Sequence, residues 1–160
     1  MEPTSPPQLR AARTSDAQDL ARLRYEFRTE VGRAEESAEA FTARCAAWME
    51  ERLRAGSAWR CRVAVDGEAK IGMVWLQLIE KLPNPVAEPE RHGYLSSLYV
   101  VPDRRASGTG SALLEAALQV CHEERVDAIL LWPTPRSRSL YERHGFRARD
   151  DLLLLRPDRP

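Results

Sequence analysis

The chain has 160 residues, of which 43% are hydrophobic and 30% are charged, proportions that are ordinary for one globular domain. Its 24 lysine and arginine residues balance its 24 aspartate and glutamate residues, so no net charge recruits nucleic acid or a membrane surface. No apolar run approaches the length of a membrane span, and the first residues lack a signal-peptide core. We therefore expect a cytoplasmic protein that binds neither nucleic acid nor membrane.

The three cysteines carry no pattern of a metal centre or a disulfide framework. Cys45, Cys61 and Cys121 are odd in number, scattered along the chain and set in apolar contexts. Their spacing matches no set of metal ligands, so we expect no metal. Buried free thiols in a reducing compartment are the predicted state.

The first half of the chain predicts strands and two helices behind a flexible leader. Three prolines among residues 1–7 predict that leader, so the domain itself spans residues 8–160. Hydrophobic periodicity then predicts a strand at 9–12, a helix ending near 31, a helix at 37–53, and strands at 59–65 and 71–79. Asp66-Gly67 supplies a hairpin turn between the last two. Alternation leaves one face of the earlier strand in solvent, and the apolar content of the later one favours a central position.

The second half begins with a proline- and acid-rich loop over residues 80–92, which is long by ordinary standards. A strand ending at Val101 follows, then a short loop and an amphipathic helix. The remaining predicted elements are a strand at 128–132, a short helix ending near Gly145 and a final strand at 146–155.

The loop between the strand and the amphipathic helix resembles a phosphate-binding turn. Gly108 and Gly110 allow an anion to approach the main chain, and backbone N–H groups in the first helical turn are available to hold it. Arg104 and Arg105 add positive charge. The spacing fits neither a Walker loop nor a full dinucleotide fingerprint. An ordinary glycine-containing turn with two solvated arginines is the alternative.

Two motifs together resemble the GNAT superfamily of N-acyltransferases. The first is R-x-x-G-x-G, formed by Arg105, Gly108 and Gly110 directly after a strand. The second is Tyr-Glu-x-x-Gly-Phe, starting at Tyr141, on a helix about thirty residues later. The resemblance covers roughly residues 8–156. It implies a single α/β (α+β) domain with a mixed, mostly antiparallel sheet, splayed central parallel strands and helices on both faces.

The resemblance also implies acetyl-CoA as a co-substrate and a primary amine of a small molecule or peptide as the acceptor, with direct transfer of the acetyl group. The loop amides would hold the pyrophosphate, and a backbone N–H near Tyr99 or Val100 would polarise the thioester carbonyl. Thr134 stands where many relatives carry an Asn that contacts the pantetheine arm, so that side-chain contact is in doubt. The implied cofactor-binding residues are Leu98, Tyr99, Val100, Arg105, Ala106, Ser107, Gly108, Thr109, Gly110, Ser111, Thr134, Ser137 and Tyr141.

The resemblance assigns Tyr141 as the general acid, since a phenol is protonated at neutral pH. A packed helix aromatic is the alternative. The base is a departure from the family, because Ser96 and Ser97 stand where many relatives have a Glu. His92, or a water held by the two serines, is the predicted base, with Glu80 the next candidate. The acids of the 80–92 loop would line the acceptor side and attract a cationic amine.

Two alternatives to the enzyme stay open at the level of the sequence. A non-catalytic acyl-CoA sensor would keep the same loop, and the missing Glu favours it. Nucleotide binding at the loop is disfavoured because no Ser or Thr follows a Lys there. The sequence leaves the acceptor, the length of the acyl chain, and the choice between a monomer and a homodimer open.

Overall fold

The computed structural model describes residues 6–157, so most of the predicted leader, residues 1–5, lies outside the described range. The elements are β1 (Gln8–Ala11), α1 (Ala17–Val31), α2 (Ala38–Arg52), β2 (Trp59–Asp66), β3 (Ala69–Glu80), β4 (Arg91–Val100), α3 (Thr109–Glu123), β5 (Ala128–Leu130) and α4 (Arg138–Arg143). No helix in residues 6–157 has the length and apolar character needed to cross a bilayer.

One five-stranded sheet follows the chain order from β1 to β5. Its first three pairings are antiparallel, and the last, between β4 and β5, is parallel. The mixed, mostly antiparallel sheet of the α/β prediction is therefore confirmed. The long apolar strand β3 is central, as its composition predicted, since residues on both of its faces are buried.

Helices cover both faces of the sheet. Val63 packs with α1 and α2, whereas its neighbour Ala64 packs with α3, as the strand alternation requires. The expectation that one face of β2 is solvated is wrong for this reason. Arg60 on that strand donates to Glu124, just beyond α3, from Nε at 3.0 Å and from Nη2 at 2.7 Å. The Arg60–Glu124 salt bridge and helix α3 thus cover the face of β2 that the sequence predicted to be solvated.

The predicted final strand at 146–155 does not form. Beyond β5, residues 144–157 contain no strand, and Leu153 is 93% exposed. A strand needs a partner, and the neighbouring β5 offers only the three residues Ala128–Leu130. The run of leucines at 152–155 favours a strand locally, but β5 is too short to pair with it.

The predicted 80–92 loop is shorter than expected, because β3 extends through Glu80 and β4 begins at Arg91. Lys81 N donates to Glu90 O at 2.8 Å and closes the turn. Lys81 Nζ also contacts Glu88 at 3.1 Å and Asp127 at 2.8 Å. The acids of this segment are therefore partly neutralised by the chain itself.

Candidate active site

The parallel strands β4 and β5 separate early. They pair only from His92 with Ala128 to Tyr94 with Leu130, while β4 continues to Val100. The peptide groups of β4 beyond Tyr94 that face β5 therefore have no ladder partner. This opening is the splay that the sequence resemblance implied, and it leads toward the loop between β4 and α3.

A β-bulge lies in β4 beside this opening. Met73 pairs with Tyr99 and Trp75 pairs with Ser96, so one residue of β3 faces two residues of β4. Ser97 within the bulge has a φ of +55°, which is rare for a residue other than glycine. Backbone conformations of this kind cluster at functional sites, since the surrounding structure must maintain them.

The bulge changes which face of the sheet each residue of β4 meets. Leu95 and Tyr99 are four residues apart and would share a face in a regular strand. Instead Leu95 packs with α3 and Tyr99 packs with α1 and α2. The sequence reasoning missed the bulge, although the break in alternation after Leu95 is a signal that could have indicated it.

The pattern of hydrogen bonds between β3 and β4 after the bulge identifies which backbone N–H faces the opening between β4 and β5. Val101 N donates to Ile71 O at 2.9 Å, toward β3. Alternation in an antiparallel ladder turns the N–H of Tyr99 toward β3 as well, and that of Val100 away from it. Arg105 Nε donates to Val100 O at 2.8 Å, consistent with this orientation. Of the two predicted donors, Val100 is therefore the one that faces the opening.

The loop before α3 presents a row of free backbone donors. Within the described residues, the N–H groups of residues 106–111 have no hydrogen-bond acceptor, and the first helical bond is from Ala112 N to Gly108 O at 3.0 Å. Ala106 and Gly108 have φ values of +59° and +84°. The space where a Gly108 side chain would begin is open to 4 Å. Successive free amides at a helix N-terminus form a site for an anion such as a pyrophosphate.

The two loop arginines are not free to hold phosphate with their side chains. Arg104 forms a salt bridge with Asp66, and Arg105 Nη2 donates to both carboxylate oxygens of Glu30 at 2.9 Å. Glu30 also accepts from the Tyr99 hydroxyl at 2.9 Å. Both guanidinium groups are therefore ion-paired, whereas the choice between a phosphate site and an ordinary glycine-containing turn stays a prediction. The free amides add positive partial charge at the loop.

Thr134 and Ser137 are engaged with each other at the start of α4. Thr134 N donates to Ser137 Oγ at 3.0 Å, and the two hydroxyl oxygens lie 2.9 Å apart. Ser137 is the residue that precedes the first turn of α4. The structure thus uses these side chains to shape the turn, and a contact with the pantetheine arm stays a prediction.

Tyr141 on α4 is 7% exposed and packs edge-on against Phe146, with ring centroids 5.6 Å apart. Its hydroxyl makes no hydrogen bond to any residue from 6 to 157, although it is not fully sealed from solvent. Burial raises the pKa of Tyr141 to about 12, so the phenol stays protonated at neutral pH. The arrangement leaves a phenolic donor without an internal partner.

Two of the candidate bases, His92 and Glu80, lie at the end of the sheet away from Ser96 and Ser97. His92 is in β4 rather than in a loop, opposite Ile79, and Glu80 ends β3 opposite Arg91. At a rise of about 3.3 Å per residue, His92 is roughly 16 Å along the strand from the bulge at Ser97. The role of these two residues as bases stays a prediction, and their positions weigh against it.

Ser96 and Ser97 lie at the bulge and line a cavity of about 280 Å³ between α1, α2 and the sheet. Their hydroxyl oxygens are 3.3 Å apart, and Arg24 Nη1 donates to Ser97 Oγ at 2.9 Å. Neither His92 nor Glu80 lines this cavity. No group of three His, Cys, Asp or Glu side chains in the described part of the chain is arranged to hold a metal ion.

Comparisons with known proteins point to one family. The family model described as the acetyltransferase (GNAT) family matches residues 18–146. A GCN5-related N-acetyltransferase from Ralstonia eutropha JMP134 is similar at 26% identity and a TM-score of 0.78, over 93% of this chain and 97% of that chain. The sequence matched none of the curated proteins with which it was compared.

Two further structures share the fold at lower identity. A predicted acetyltransferase from Clostridium acetobutylicum, solved with acetyl-CoA, has 20% identity and a TM-score of 0.77, covering 94% of this chain and 96% of that chain. A ribosomal-protein-alanine N-acetyltransferase from Brucella melitensis biovar Abortus 2308 has 21% identity and a TM-score of 0.68, covering 94% and 99%. The fold and the opened sheet thus define an acetyltransferase-type domain. The chain belongs to the acetyltransferase (GNAT) family.

Proposed function

We propose that the protein is an N-acetyltransferase that transfers the acetyl group of acetyl-CoA directly to a primary amine of a small molecule or peptide. The observation that carries this proposal is the row of free amides at residues 106–111, placed at the end of β4 beside the opening between β4 and β5. The gap between β4 and β5 would hold the extended arm of a long cofactor, and the free amides next to the gap would hold its phosphates.

The residues present fit acetyl-CoA. The free amides would hold the pyrophosphate, and the open space at Gly108 leaves room for it. The unpaired edge of β4 beyond Tyr94 offers backbone groups to the amides of the pantetheine arm. The N–H of Val100 would donate to the thioester carbonyl oxygen, where a fixed donor stabilises developing negative charge. Bound acetyl-CoA supplies the activated acetyl group.

In the transfer itself, a C–N bond forms to the acceptor amine as the C–S bond of the thioester breaks. The electron pair of the C–S bond leaves with sulfur, the amine loses a proton to water, and the thiolate takes a proton from water. Tyr141 is suited to the thiolate end. With a pKa of about 12 against about 8.5 for a thiol, it serves chiefly as a hydrogen-bond donor that stabilises the departing sulfur.

Direct transfer is favoured over a covalent acyl-enzyme intermediate. Cys45 lines the cavity beside Ser96 and Ser97, and it is the thiol that could serve as a nucleophile there. Burial raises the pKa of Cys45, so at neutral pH it is a neutral thiol and a poor nucleophile. An amine that enters the cavity would then attack the thioester itself.

The experiment that tests the proposal is a thiol-release assay with acetyl-CoA over a panel of amino acids, amines and short peptides. We expect saturable release that depends on the amine, together with calorimetric binding of CoA. Binding of CoA without amine-dependent release over the whole panel would contradict the enzyme. Longer acyl-CoA thioesters in the same assay measure the preferred acyl group.

The second candidate is an acyl-CoA sensor without turnover. It is supported by the absence of a carboxylate at positions 96 and 97, where the two serine hydroxyls bond to each other and Arg24 donates to Ser97. The Tyr141 hydroxyl favours the enzyme, since a sensor does not need a hydrogen-bond donor for a departing thiolate. Loss of release in Tyr141→Phe with unchanged CoA binding would separate the two candidates.

A further inference from the structure

The cavity beside the bulge has an unusual charge balance. Its volume of about 280 Å³ is near the lower end of small-molecule sites, which span about 300–1,000 Å³. Two arginines, Arg24 and Arg44, line it, and in the described part of the chain no acidic side chain does. Arg44 is paired with Glu36, so its charge is already balanced. Arg24 is not balanced in this way.

Arg24 is a partly buried cation without a counter-ion. In residues 6–157 it has no carboxylate partner, and its one side-chain hydrogen bond is to Ser97 Oγ at 2.9 Å. Its guanidinium lies 5.8 Å from the centre of the Phe27 ring. Burial, followed by the charge of Arg28, lowers the pKa of Arg24, which reflects a poorly compensated cation. Burying such a group costs free energy that a bound anion would offset.

A second unpartnered donor lies within the wall of the same cavity. Trp75 is 3% exposed, and its buried Nε1–H has no hydrogen-bond acceptor among the described residues. Buried donors normally have partners, so each exception calls for an explanation. The donors that line the surface of the cavity are the Arg24 guanidinium and the Ser97 hydroxyl. An anionic oxygen is the group that would satisfy them.

The rest of the wall is aromatic. Trp48, Trp59 and Trp75 form a cluster in which ring centroids are 5.0 to 6.2 Å apart, and Phe41 adds a further ring. Indole and phenyl surfaces favour an apolar or aromatic body in the ligand. This chemistry differs from the acid-lined acceptor side that the sequence predicted for a cationic amine, since acids of the 81–90 segment do not line this cavity.

We infer that the acceptor is a small amino carboxylate with an apolar or aromatic side chain, its carboxylate on Arg24 and its side chain against the three indoles. The inference rests on the proposed function, because it places the acceptor amine next to Ser96 and Ser97 at the bulge. The guanidinium charge nearby also lowers the pKa of a bound amine and so favours the neutral, nucleophilic form. Such help matters where no carboxylate base is present.

Calorimetry on the full chain with CoA present tests the inference without requiring turnover. The probes are L-phenylalanine, its decarboxylated analogue phenethylamine, and a dipeptide with an N-terminal phenylalanine. We expect L-phenylalanine to bind at least tenfold more tightly than phenethylamine, in line with a charge-assisted hydrogen bond. Equal or weaker binding of L-phenylalanine, or tighter binding of the dipeptide, overturns the inference.

Arg24→Gln should abolish the preference for the carboxylate, while Arg28→Gln should keep it. Arg28 is a matched control, because it is exposed, lies on the same helix and approaches the same Phe27 ring at 5.9 Å without lining the cavity. A preference that survives in Arg24→Gln overturns the inference. If Arg24→Gln does not fold, the comparison of the probes in the unaltered protein still decides. Binding without thiol release for any amine would contradict the proposed function alone.

Discussion

Glu30 receives hydrogen bonds from Arg105 on both of its carboxylate oxygens, each at 2.9 Å, and these bonds join the end of α1 to the loop before α3. The Tyr99 hydroxyl and Arg136 contact the same carboxylate, at 2.9 Å and 3.3 Å. One acid from the first helix therefore joins β4, the loop before α3 and the segment before α4. Glu30 thus supports the conformation of this loop.

We expect Glu30→Ala to weaken CoA binding severalfold and to lower the free energy of unfolding by about 0.5–1 kcal/mol, because Arg105 loses its anchor. Burial raises the pKa of Glu30, but hydrogen bonds from Arg105 and Tyr99 prevail and hold it below its usual value. This stabilisation is present above the unfolded value of about 4.3 and is lost as the pH falls below it. Calorimetry at pH 7, and urea unfolding at pH 7 and at about pH 3, measure the two effects. Glu26→Gln, on the same helix, is the control, and an equal loss there would remove the special role of Glu30.

Gly108→Val should weaken CoA binding at least tenfold, or by about 1.4 kcal/mol. The new side chain would enter the open space in front of the free amides, at a φ of +84°. Gly56→Val is a matched control, because Gly56 has a φ of +82° and equally open surroundings. Both variants carry similar backbone strain, but only the first should lose affinity. Unchanged affinity in folded Gly108→Val would mean that the phosphates bind elsewhere.

Tyr141→Phe should reduce kcat about a hundredfold or more and leave the Kd for CoA nearly unchanged, since only the hydroxyl is removed. The same variant should alter stability in alkali. The pKa of Tyr141 is raised from about 10 to about 12 by burial, so its contribution is present below pH 10 and lost between pH 10 and 12. Wild type should therefore lose more unfolding free energy than Tyr141→Phe over that range. Equal activity of the variant would reduce Tyr141 to a packing residue.

His92→Gln should leave the pH dependence of kcat/KM unchanged, because β4 carries His92 away from the cavity at the bulge. Ser96→Ala should instead lower kcat/KM at neutral pH if a water held by Ser96 and Ser97 accepts the amine proton. Initial rates from pH 5.5 to 9 for the two variants and the wild type decide between the candidates. Loss of the acidic limb in His92→Gln would restore His92 as the base.

The sequence by itself determined the family and the main functional elements. The strand, glycine turn and helix around Gly108 and the helix of Tyr141 depend on local preferences, such as the end of a strand at Pro102 and the apolar stripe of α3. Local signals of this kind act over a few residues and can be recognised in a single chain. The central place of β3 was also predictable, because a strand buried on both faces has few polar residues.

Only the tertiary structure decided which charges are free and which residues share a site. The sequence predicted that Arg104 and Arg105 add positive charge for a phosphate. In the structure they form ion pairs with Asp66 and Glu30, which are distant in the chain. The predicted final strand does not form because it lacks a partner strand, and the predicted 80–92 loop is shortened because β3 ends at Glu80 and β4 begins at Arg91. The bulge at Ser97 brings a cation from α1 beside indoles from α2, β2 and β3. Contacts between distant segments fix such burial and pairing, and no local pattern records them.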